Sequence, residues 1–424
     1  MIRILSYSES MREEIFARAT MESNVSEVVS DILADVRQNG DKAVLAYSDC
    51  FDGANGAPLK VTKAEIAKAV AGVDKAFMGV LQRAAENIRA FHAHQVRSGF
   101  VVSEQEGVLL GQKVLPLGAV GLYVPGGTAS YPSSVLMNAI PAKLAGVERV
   151  VMVTPAKGGV IPREILAAAQ LGGVDEIYRV GGAQAIGALA YGTETIRRVD
   201  KIVGPGNAFV AEAKRQVSGL VDIDMIAGPS EILIVADEGC DPVWVAADML
   251  SQAEHDKNAS AVLITVSQKL AKRVQAELER QIPLLPRADI ARASIDNNGK
   301  IVVSTNIAQA IDIANDLAPE HLELCLDAPF DYLDRVRCAG SVFLGKYAPE
   351  ALGDYFAGPN HVLPTSGTAR FSSPLSVDDF VKKYSFTYYT ASALAKVQQD
   401  IQAFAMREGL DAHARSVAVR FEEE

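Results

Sequence analysis

The spacing of hydrophobic residues changes along the chain and predicts two kinds of structure. Residues 26–48 and 73–95 carry apolar side chains at helical intervals. After residue 113, short apolar runs alternate with alanine-rich helical patterns. The predicted strands are 150–154, 176–180, 201–203, 231–235, 261–265, 301–304 and 341–344, and predicted helices include 161–170, 184–191 and 207–217. Strand–helix alternation at this spacing predicts βαβ units and parallel sheet.

The order of these patterns predicts an α/β fold in which one Rossmann-like, parallel-sheet domain is inserted into another. We expect the inserted domain at residues 122–229, and the larger domain at 26–121 together with 230–376. A helical segment, 1–25, precedes them. A helical tail, 377–424, follows them and is too short to fold alone. This tail should therefore dock on its own body or on a partner subunit.

Composition limits the partners that the chain can have. With 49% hydrophobic residues it resembles an ordinary globular enzyme, and a net charge of −11 with a pI near 5.2 argues against nucleic acid. No apolar stretch approaches the roughly 20 residues that cross a bilayer, and the N-terminus lacks a signal-peptide pattern. The four cysteines are isolated, which fits free thiols in a reducing compartment. We therefore expect a cytoplasmic protein with no membrane partner.

Histidines are scarce in this sequence, and most of them share the same kind of surroundings. Four of the six lie in segments rich in carboxylates, amides and glycines: 251–255, 319–321, 353–361 and 411–413. Imidazole is the commonest metal ligand and moves protons near neutral pH. These segments therefore indicate one shared site for metal binding and acid–base chemistry, and hence an enzyme. His92 and His94 are two apart on a predicted helix and cannot face one ligand, so we assign them no role.

A nitrogen and oxygen ligand set can be assembled from these segments. Asp241 and Pro242 begin a helix predicted to reach His255, which places Gln252 and His255 on one face of its last turn. The candidate metal ligands are Gln252, His255, Asp354 and His413. Such a set without thiolate suits Zn²⁺ best, with Mn²⁺ or Co²⁺ tolerated. The alternatives are a polar helix end, a plain turn at Asp354 and an exposed terminal histidine.

Glu320 and His321 form a second candidate constellation, just before a predicted strand. Adjacent residues at the start of a strand diverge, so the two side chains could serve different atoms of one substrate. A carboxylate and an imidazole suit general base catalysis, in which one activates water and the other takes a proton from an alcohol. An exposed Glu-His pair on a loop is the alternative interpretation.

Three glycine-rich turns could bind an organic redox partner, which a zinc enzyme needs because Zn²⁺ does not change its oxidation state. The turns are 123–127, 181–184 and 204–207. Each follows a predicted strand, and the last two open helices, where backbone N–H groups favour phosphate. None of them matches GxGxxG, because Phe209 stands at the third glycine position after Gly204 and Gly206. Tight βα turns explain these glycines nearly as well.

Taken together, these motifs resemble the histidinol dehydrogenase family, whose members complete histidine biosynthesis. The resemblance covers almost the whole chain, and its most specific stretches are 228–233, 251–255, 318–322 and 353–365. It implies Gln252, His255, Asp354 and His413 as zinc ligands, and Glu320 and His321 as general bases. It implies substrate contacts from Ser230, Gln252, His255, His321, Asp354, His361, Glu408 and His413, and NAD⁺ contacts from Tyr123, Gln184 and Asn207.

The resemblance also implies an intertwined homodimer, in which the tail carrying Glu408 and His413 swaps to complete the neighbour's site. The reaction it implies is a four-electron oxidation of L-histidinol to L-histidine through bound L-histidinal, with two successive NAD⁺ and one zinc per subunit. Three alternatives stay open at this point. They are a zinc hydrolase, a dehydrogenase of the same fold acting on another small amino alcohol or polyol, and a non-catalytic dinucleotide-binding scaffold.

Overall fold

The computed structural model describes residues 1–18, 25–126 and 131–422. Gly127 of the first glycine-rich turn and residues 19–24 of the predicted N-terminal segment lie outside this description. The chain divides into two compact units. The main unit comprises Met1–Gln95 and Leu117–Phe380, and the tail unit comprises Val96–Pro116 and Val381–Glu424.

The strands of the described residues are short. In chain order they are β1 (Arg3–Ser6), β2 (Phe100–Val102), β3 (Val108–Pro116), β4 (Ala119–Tyr123), β5 (Arg149–Thr154), β6 (Glu176–Arg179), β7 (Lys201–Val203), β8 (Asp222–Ile223), β9 (Glu231–Ala236), β10 (Ser260–Thr265), β11 (Lys300–Val303), β12 (His321–Cys325), β13 (Ser341–Leu344) and β14 (Val381–Tyr389).

The helices of the same residues alternate with most of these strands. They are α1 (Arg12–Phe16), α2 (Ser26–Asp52), α3 (Lys63–Ala71), α4 (Lys75–Ala93), α5 (Pro132–Ala145), α6 (Arg163–Gly172), α7 (Gly182–Tyr191), α8 (Ala208–Val217), α9 (Pro242–Ala253), α10 (Gln268–Gln281), α11 (Ala288–Asn297), α12 (Ile307–Leu317), α13 (Phe330–Leu333), α14 (Glu350–Tyr355), α15 (Ala391–Arg407) and α16 (Asp411–Ala418).

The large sheet of the main unit is parallel, with the described strands in the order β1-β11-β10-β9-β12-β13. Successive residues of β9 point to opposite faces. Ile232 and Ile234 pack with α9 and α10, whereas Leu233 and Val235 pack with α12. Burial on both faces explains why these strands are continuous apolar runs in the sequence.

The middle sheet of the main unit is also parallel, with the described strands in the order β6-β5-β4-β7-β8. Helices α5 and α6 cover one face, and α7 and α8 cover the other. The prediction of an α/β fold with two parallel sheets is therefore confirmed. Among the described helices, none combines the length and the apolar character needed to cross a lipid bilayer.

The structure differs from the expected domain boundaries at residues 26–95. We expected these residues with the larger domain, but α2 packs on α7, α3 on α6 and α4 on α5, all around the middle sheet. An amphipathic stripe shows that a helix has a buried face but does not identify the surface that buries it. The sequence pattern therefore placed the helices correctly and their partners wrongly.

Both ends of the chain contain strands that the sequence did not predict. The segment expected to be helical at 1–25 begins with β1, which pairs with β11 as an edge strand of the large sheet. In the tail unit, β14 pairs with β3, and β3 with β2, in an antiparallel sheet followed by α15 and α16. The expectation of a wholly helical tail was therefore wrong at Val381–Tyr389. The pairings of β1 with β11 and of β14 with β3 join segments far apart in sequence, so no local signal marked them.

Candidate active site

The candidate catalytic residues gather at the amino edge of the large sheet. Ser230 immediately precedes β9, and His321 is the first residue of β12. Helix α9 connects the parallel strands β9 and β10, so it runs back and brings its last turn to this same edge. Gln252 lies in that turn. His255 lies two residues beyond the end of α9, with its N–H bonded to Gln252 O (3.1 Å).

The sequence-based prediction for the start of α9 is confirmed. The Asp241 side chain accepts a hydrogen bond from Val243 N (2.8 Å), and Pro242 occupies the first turn. Asp is a favoured N-cap because its carboxylate satisfies an amide that has no partner within the helix. This cap begins the helix that delivers Gln252 to the site.

The backbone of one residue in the neighbouring strand, Glu231, holds both Glu320 and His321. The Glu231 N–H donates to Glu320 Oε2 (2.9 Å), and His321 Nδ1 donates to the Glu231 carbonyl (2.9 Å). The carbonyl can only accept, so Nδ1 carries the proton and Nε2 is left with a free lone pair. One backbone unit therefore orients both predicted bases.

Burial changes the proton affinity of both residues. It raises the pKa of Glu320 well above the usual value, with further contributions from the nearby Glu231, Asp354 and Glu350 carboxylates. Burial lowers the pKa of His321, and the carboxylate of Glu350 partly opposes this. Within the described residues, His321 Nε2 has no hydrogen-bond partner. The imidazole of His321 is therefore neutral, and its basic nitrogen, Nε2, forms no hydrogen bond with the described residues.

Asp354 and His361 lie on α14 and the loop that follows it. The His361 Nδ1 donates to the Asp354 carbonyl (3.0 Å), and its Nε2 lies 3.3 Å from Ser134 Oγ on α5. Burial lowers the pKa of His361 to about 4, so this ring is neutral too. A cavity of about 310 Å³ is lined by His321, Asp354 and His361. The predicted substrate contact His361 therefore shares a cavity with the predicted base His321.

His255 belongs to the same neighbourhood. Its charge contributes to lowering the pKa of both His321 and His361. The Asp354 carboxylate likewise contributes to raising the pKa of Glu320. The structure thus brings together four segments predicted from the sequence: the end of α9, the start of β12, α14 and the His361 loop.

The buried donors at this edge fit a divalent cation. Neither amide atom of Gln252, which is 1% exposed, has a hydrogen-bond partner among the described residues. Ligand atoms of His321, Glu350 and Asp354 lie within 4.8 Å of one another. Burial, and then the Glu350 carboxylate, raises the pKa of Asp354 to about 9. A cation bound to this oxygen- and nitrogen-rich group would relieve both the unsatisfied amide and the repulsion between carboxylates.

The predicted NAD⁺ residues meet at the carboxyl edge of the middle sheet. Tyr123 ends β4, and its hydroxyl accepts a hydrogen bond from Gly182 N (3.1 Å), the first residue of α7. Gln184 is buried, and neither atom of its amide has a partner in the part of the chain that is described. Asn207 caps α8 by accepting from Phe209 N (3.1 Å) and Val210 N (3.2 Å). Two helix amino termini therefore lie at this edge near Tyr123, and helix amino termini favour phosphate.

A comparison with known protein families favours a dehydrogenase among the alternatives left open by the sequence. A family model described as histidinol dehydrogenase matches residues 16–421. The chain belongs to the histidinol dehydrogenase family. The resemblance seen in the sequence is therefore confirmed, as is the prediction that the protein is an enzyme of the dehydrogenase class.

Individual relatives agree with this assignment. Histidinol dehydrogenase from Listeria monocytogenes is 56% identical over 401 residues, covering 94% of each chain. The enzyme of the same name from Geobacillus kaustophilus is 55% identical over 418 residues, covering 98% of this chain and 99% of its own. The crystal structure of histidinol dehydrogenase from Elizabethkingia anophelis matches with a TM-score of 0.94 at 38% identity, covering 99% of this chain and 98% of that one.

The site contains three carboxylates that sequence reasoning did not select, of which Glu350 and Glu323 are buried and Asp248 is half-buried. Glu350 lies one helical turn before Asp354, and its Oε2 accepts a hydrogen bond from Ser251 Oγ (3.0 Å). Glu323, two residues after His321, accepts from Glu350 N (2.7 Å), and Asp248 bonds to Glu323. The i, i+4 spacing of Glu350 and Asp354 was a usable signal, because a helix places such residues on one face.

The two remaining predicted site residues of this histidinol dehydrogenase family member lie in the tail unit. Glu408 directly follows α15 as its C-cap, and His413 lies in the first turn of α16. Both line one exposed depression of that unit, together with Ile401, Phe404 and Leu410. The structure thus brings Glu408 and His413 to a common surface of the tail unit.

Proposed function

We propose that this protein oxidises L-histidinol to L-histidine through bound L-histidinal, using two NAD⁺ in succession and one zinc ion per subunit. The observation that carries the proposal is the pair Glu320 and His321, which the backbone of Glu231 orients, with His321 lining a cavity together with Asp354 and His361. Two bases with different orientations suit two successive proton transfers. The family assignment supports histidinol as the substrate.

His321 is the base of the first oxidation in this proposal. Its Nδ1–H is engaged by the Glu231 carbonyl, so Nε2 is free to take the hydroxyl proton of the substrate as a hydride leaves the same carbon. The carboxylate of Glu350, with Oε1 3.9 Å from Nε2, faces the positive charge that develops on the ring. In a catalytic triad the group that orients the imidazole binds the ring nitrogen opposite the basic one, and here the Glu231 carbonyl occupies that position.

Glu320 is the base of the second oxidation. One of its oxygens accepts the Glu231 N–H, which orients the carboxylate and leaves the other oxygen for a water molecule. Its raised pKa makes the ionised carboxylate a stronger proton acceptor. The water that it activates adds to the bound aldehyde, and the resulting hydrate loses the second hydride. Retaining the aldehyde in a buried cavity keeps it from escaping or reacting elsewhere.

The residues that would hold zinc are Gln252, His255 and Asp354, with His413 supplied by the tail unit. Zinc, when bound, acts as a Lewis acid that orients and polarises the substrate. NAD⁺, when bound at Tyr123, Gln184 and Asn207, accepts the hydride. The unpartnered amides of Gln252 and Gln184 support both assignments, because a buried amide without a hydrogen bond costs stability unless a ligand satisfies it.

We also propose that the tail unit swaps between two subunits of a homodimer, so that Glu408 and His413 complete the neighbour's substrate and zinc site. Phe404 is 70% exposed, and Ile401 and Leu410 are exposed beside it. A cluster of exposed apolar side chains around two polar ones is typical of a surface that another chain covers. The expected cytoplasmic location stays a prediction.

Glu320→Gln separates the two half-reactions. The amide cannot accept a proton from water, whereas His321 keeps its partner and its tautomer. We therefore expect oxidation of supplied L-histidinal to fall by about 100-fold or more, within the range of general base catalysis. Oxidation of L-histidinol to the aldehyde should fall much less. Both rates are measured from the same preparation, so each serves as the control for the other.

An equal loss in both half-reactions would contradict the division of roles between Glu320 and His321. Zinc content and NAD⁺ affinity measured on the same variant show whether the site is otherwise intact. A parent protein that forms no NADH from L-histidinol would contradict the proposed reaction itself.

A further inference from the structure

Helix α14 carries Asp354 and is too short to be stable alone. A helix of six residues cannot offset the cost of its own nucleation, and its terminal backbone groups lack partners within the helix. The N–H of Glu350, at the first position, donates to Glu323 Oε1 (2.7 Å). The carbonyl of Phe356, just past the last position, accepts from Asn87 Nδ2 (2.8 Å). At each end of α14, a side chain from another element therefore forms a hydrogen bond with a backbone group.

Asn87 belongs to α4, which also contacts the loop after α14. Gly358 has a φ of +109°, and a Cβ at this position would lie 2.7 Å from the Asn87 carbonyl oxygen and 3.2 Å from Phe91 Cβ. Only glycine allows the loop to approach the helix this closely without strain. The Asp354 segment is thus held against α4 both by a hydrogen bond and by direct backbone contact.

His92, at the end of α4, contacts the residue next to His361. Its Nδ1 donates to Gln95 Oε1 (2.7 Å), so Nε2 is an acceptor, and it lies 3.5 Å from Asn360 Nδ2. Burial lowers the pKa of His92, which favours this neutral tautomer. Asn360 also donates to Met137 O (2.7 Å) and accepts from Val362 N (2.9 Å), and it is almost completely buried. The buried histidine left without a role by the sequence therefore faces the loop of the site.

We propose that Asn87 is a positioning residue for the zinc ligand Asp354, and that His92 plays the same part for His361. This inference rests on the proposed function. It adds that α4 fixes the positions of α14 and of the loop that follows it. Helix α4 packs on α5, which carries Ser134 beside His361 Nε2. Groups that orient a metal ligand typically affect metal affinity by about 10- to 100-fold when they are replaced.

Replacing Asn87 should weaken zinc binding without unfolding the protein. Asn87 is only half-buried, and alanine is the residue most favourable to a helix interior. We expect Asn87→Ala and the near-isosteric Asn87→Asp, neither of which can donate to the Phe356 carbonyl, to lower Zn²⁺ affinity by about 10-fold or more. Asn87→Gln keeps an amide donor and should lose less. The measurement is competition for Zn²⁺ against a chromogenic chelator with the full-length protein.

Gln275→Ala is the matched control. Gln275 is also a half-buried helical amide that donates to a distant backbone carbonyl, that of Ile2 (2.7 Å), beside β1, the edge strand at the other end of the strand order from β13. Its loss should lower the midpoint of thermal unfolding about as much as Asn87→Ala does, while Zn²⁺ affinity stays at the parent value. NAD⁺ affinity, measured by calorimetry, should be unchanged in every variant.

Gly358→Ala provides a second approach to the same contact, because its methyl group would push the loop away from α4. It too should weaken Zn²⁺ binding. The inference is overturned if Asn87→Ala and Gly358→Ala hold Zn²⁺ as tightly as the parent, or if Gln275→Ala weakens it equally. A parent that takes up no zinc would overturn the proposed function, and with it this inference. A zinc-binding parent with unaffected variants would overturn the inference alone.

Discussion

At the scale of single residues, backbone groups determine the chemistry of this site as much as side chains do. The backbone of Glu231 orients both bases, through its N–H for Glu320 and its carbonyl for His321. The tautomer of His321 therefore depends on the backbone carbonyl of Glu231. The carboxylate of the same residue forms an ion pair with Arg18 and also contributes to raising the pKa of Glu320.

The backbone also determines the shape of the predicted cofactor-binding turn at Gly204. Its φ is +110°, and a Cβ there would lie 2.1 Å from the Tyr123 carbonyl oxygen. Its N–H donates to Asp224 Oδ2 (2.7 Å), and its carbonyl accepts from Lys214 Nζ (3.0 Å), within a buried ion pair. The turn is held on both sides and has little freedom to relax.

Gly204→Ala should therefore weaken NAD⁺ binding. The methyl group must displace the end of β4, which carries Tyr123, or distort the turn before Asn207. We expect NAD⁺ affinity to fall by about 10-fold, which corresponds to about 1.4 kcal/mol. Titration calorimetry with NAD⁺ measures this.

Gly219→Ala is the control for strain alone. Gly219 has a comparable φ of +96°, but no atom within 4 Å would meet its Cβ. This variant should lose about 1–3 kcal/mol of stability and keep its NAD⁺ affinity. If Gly204→Ala also keeps the parent affinity, the turn at Gly204 does not shape the cofactor site.

At the scale of elements, the sequence predicted what depends on local pattern. Seven strands of the two parallel sheets were predicted within a residue or two of their observed bounds, because buried strands read as continuous apolar runs. The start of α9 at Asp241 was predicted from its capping chemistry. The Glu320–His321 pair was likewise found because both residues stand together at a strand start.

What the sequence could not predict depends on pairing between distant segments. Nothing local in residues 3–6 indicates that they add to β11, and nothing in 381–389 indicates pairing with β3. Asn87 and Glu323 were missed for the same reason. Their importance comes from hydrogen bonds to backbone groups at the two ends of α14. Candidate site residues were therefore found where a short segment contains a recognisable motif. They were missed where their role depends on a contact with a distant element.

At the scale of the whole molecule, a large acidic group is buried at the amino edge of the large sheet. Burial raises the pKa of Asp248 to about 6 and that of Glu323 well above its usual value, and the Asp248 and Glu350 carboxylates add to the effect on Glu323. In the described part of the chain, no lysine or arginine contributes to these shifts. This part of the protein is therefore electrostatically unfavourable without a cation.

The stability of the metal-free protein should consequently depend on pH. A carboxyl whose pKa is raised on folding binds more protons folded than unfolded between its two pKa values, so stability falls as pH rises through that range. For Asp248 the range runs from about 4 to about 6. Chelator-treated protein should therefore gain stability as pH falls from 7 to 5, by an amount on the order of 1–3 kcal/mol from Asp248. Urea unfolding at each pH measures this.

Asp248→Asn should reduce the pH dependence of stability in the metal-free protein, because the amide does not titrate. The substitution Asp289→Asn, at an exposed position, should leave the pH dependence of stability at the parent value. The account of the acidic group would be wrong if Asp248→Asn and the parent showed the same slope of stability against pH between 5 and 7.

We propose that one site carries out two oxidations on a substrate that it does not release. The most direct test mixes the zinc-loaded protein with a limiting amount of L-histidinol and excess NAD⁺, and counts NADH formed per substrate consumed. We predict two NADH per L-histidinol, with L-histidine as the product and no free aldehyde captured by a carbonyl reagent. One NADH per substrate, with free L-histidinal accumulating, would contradict the account.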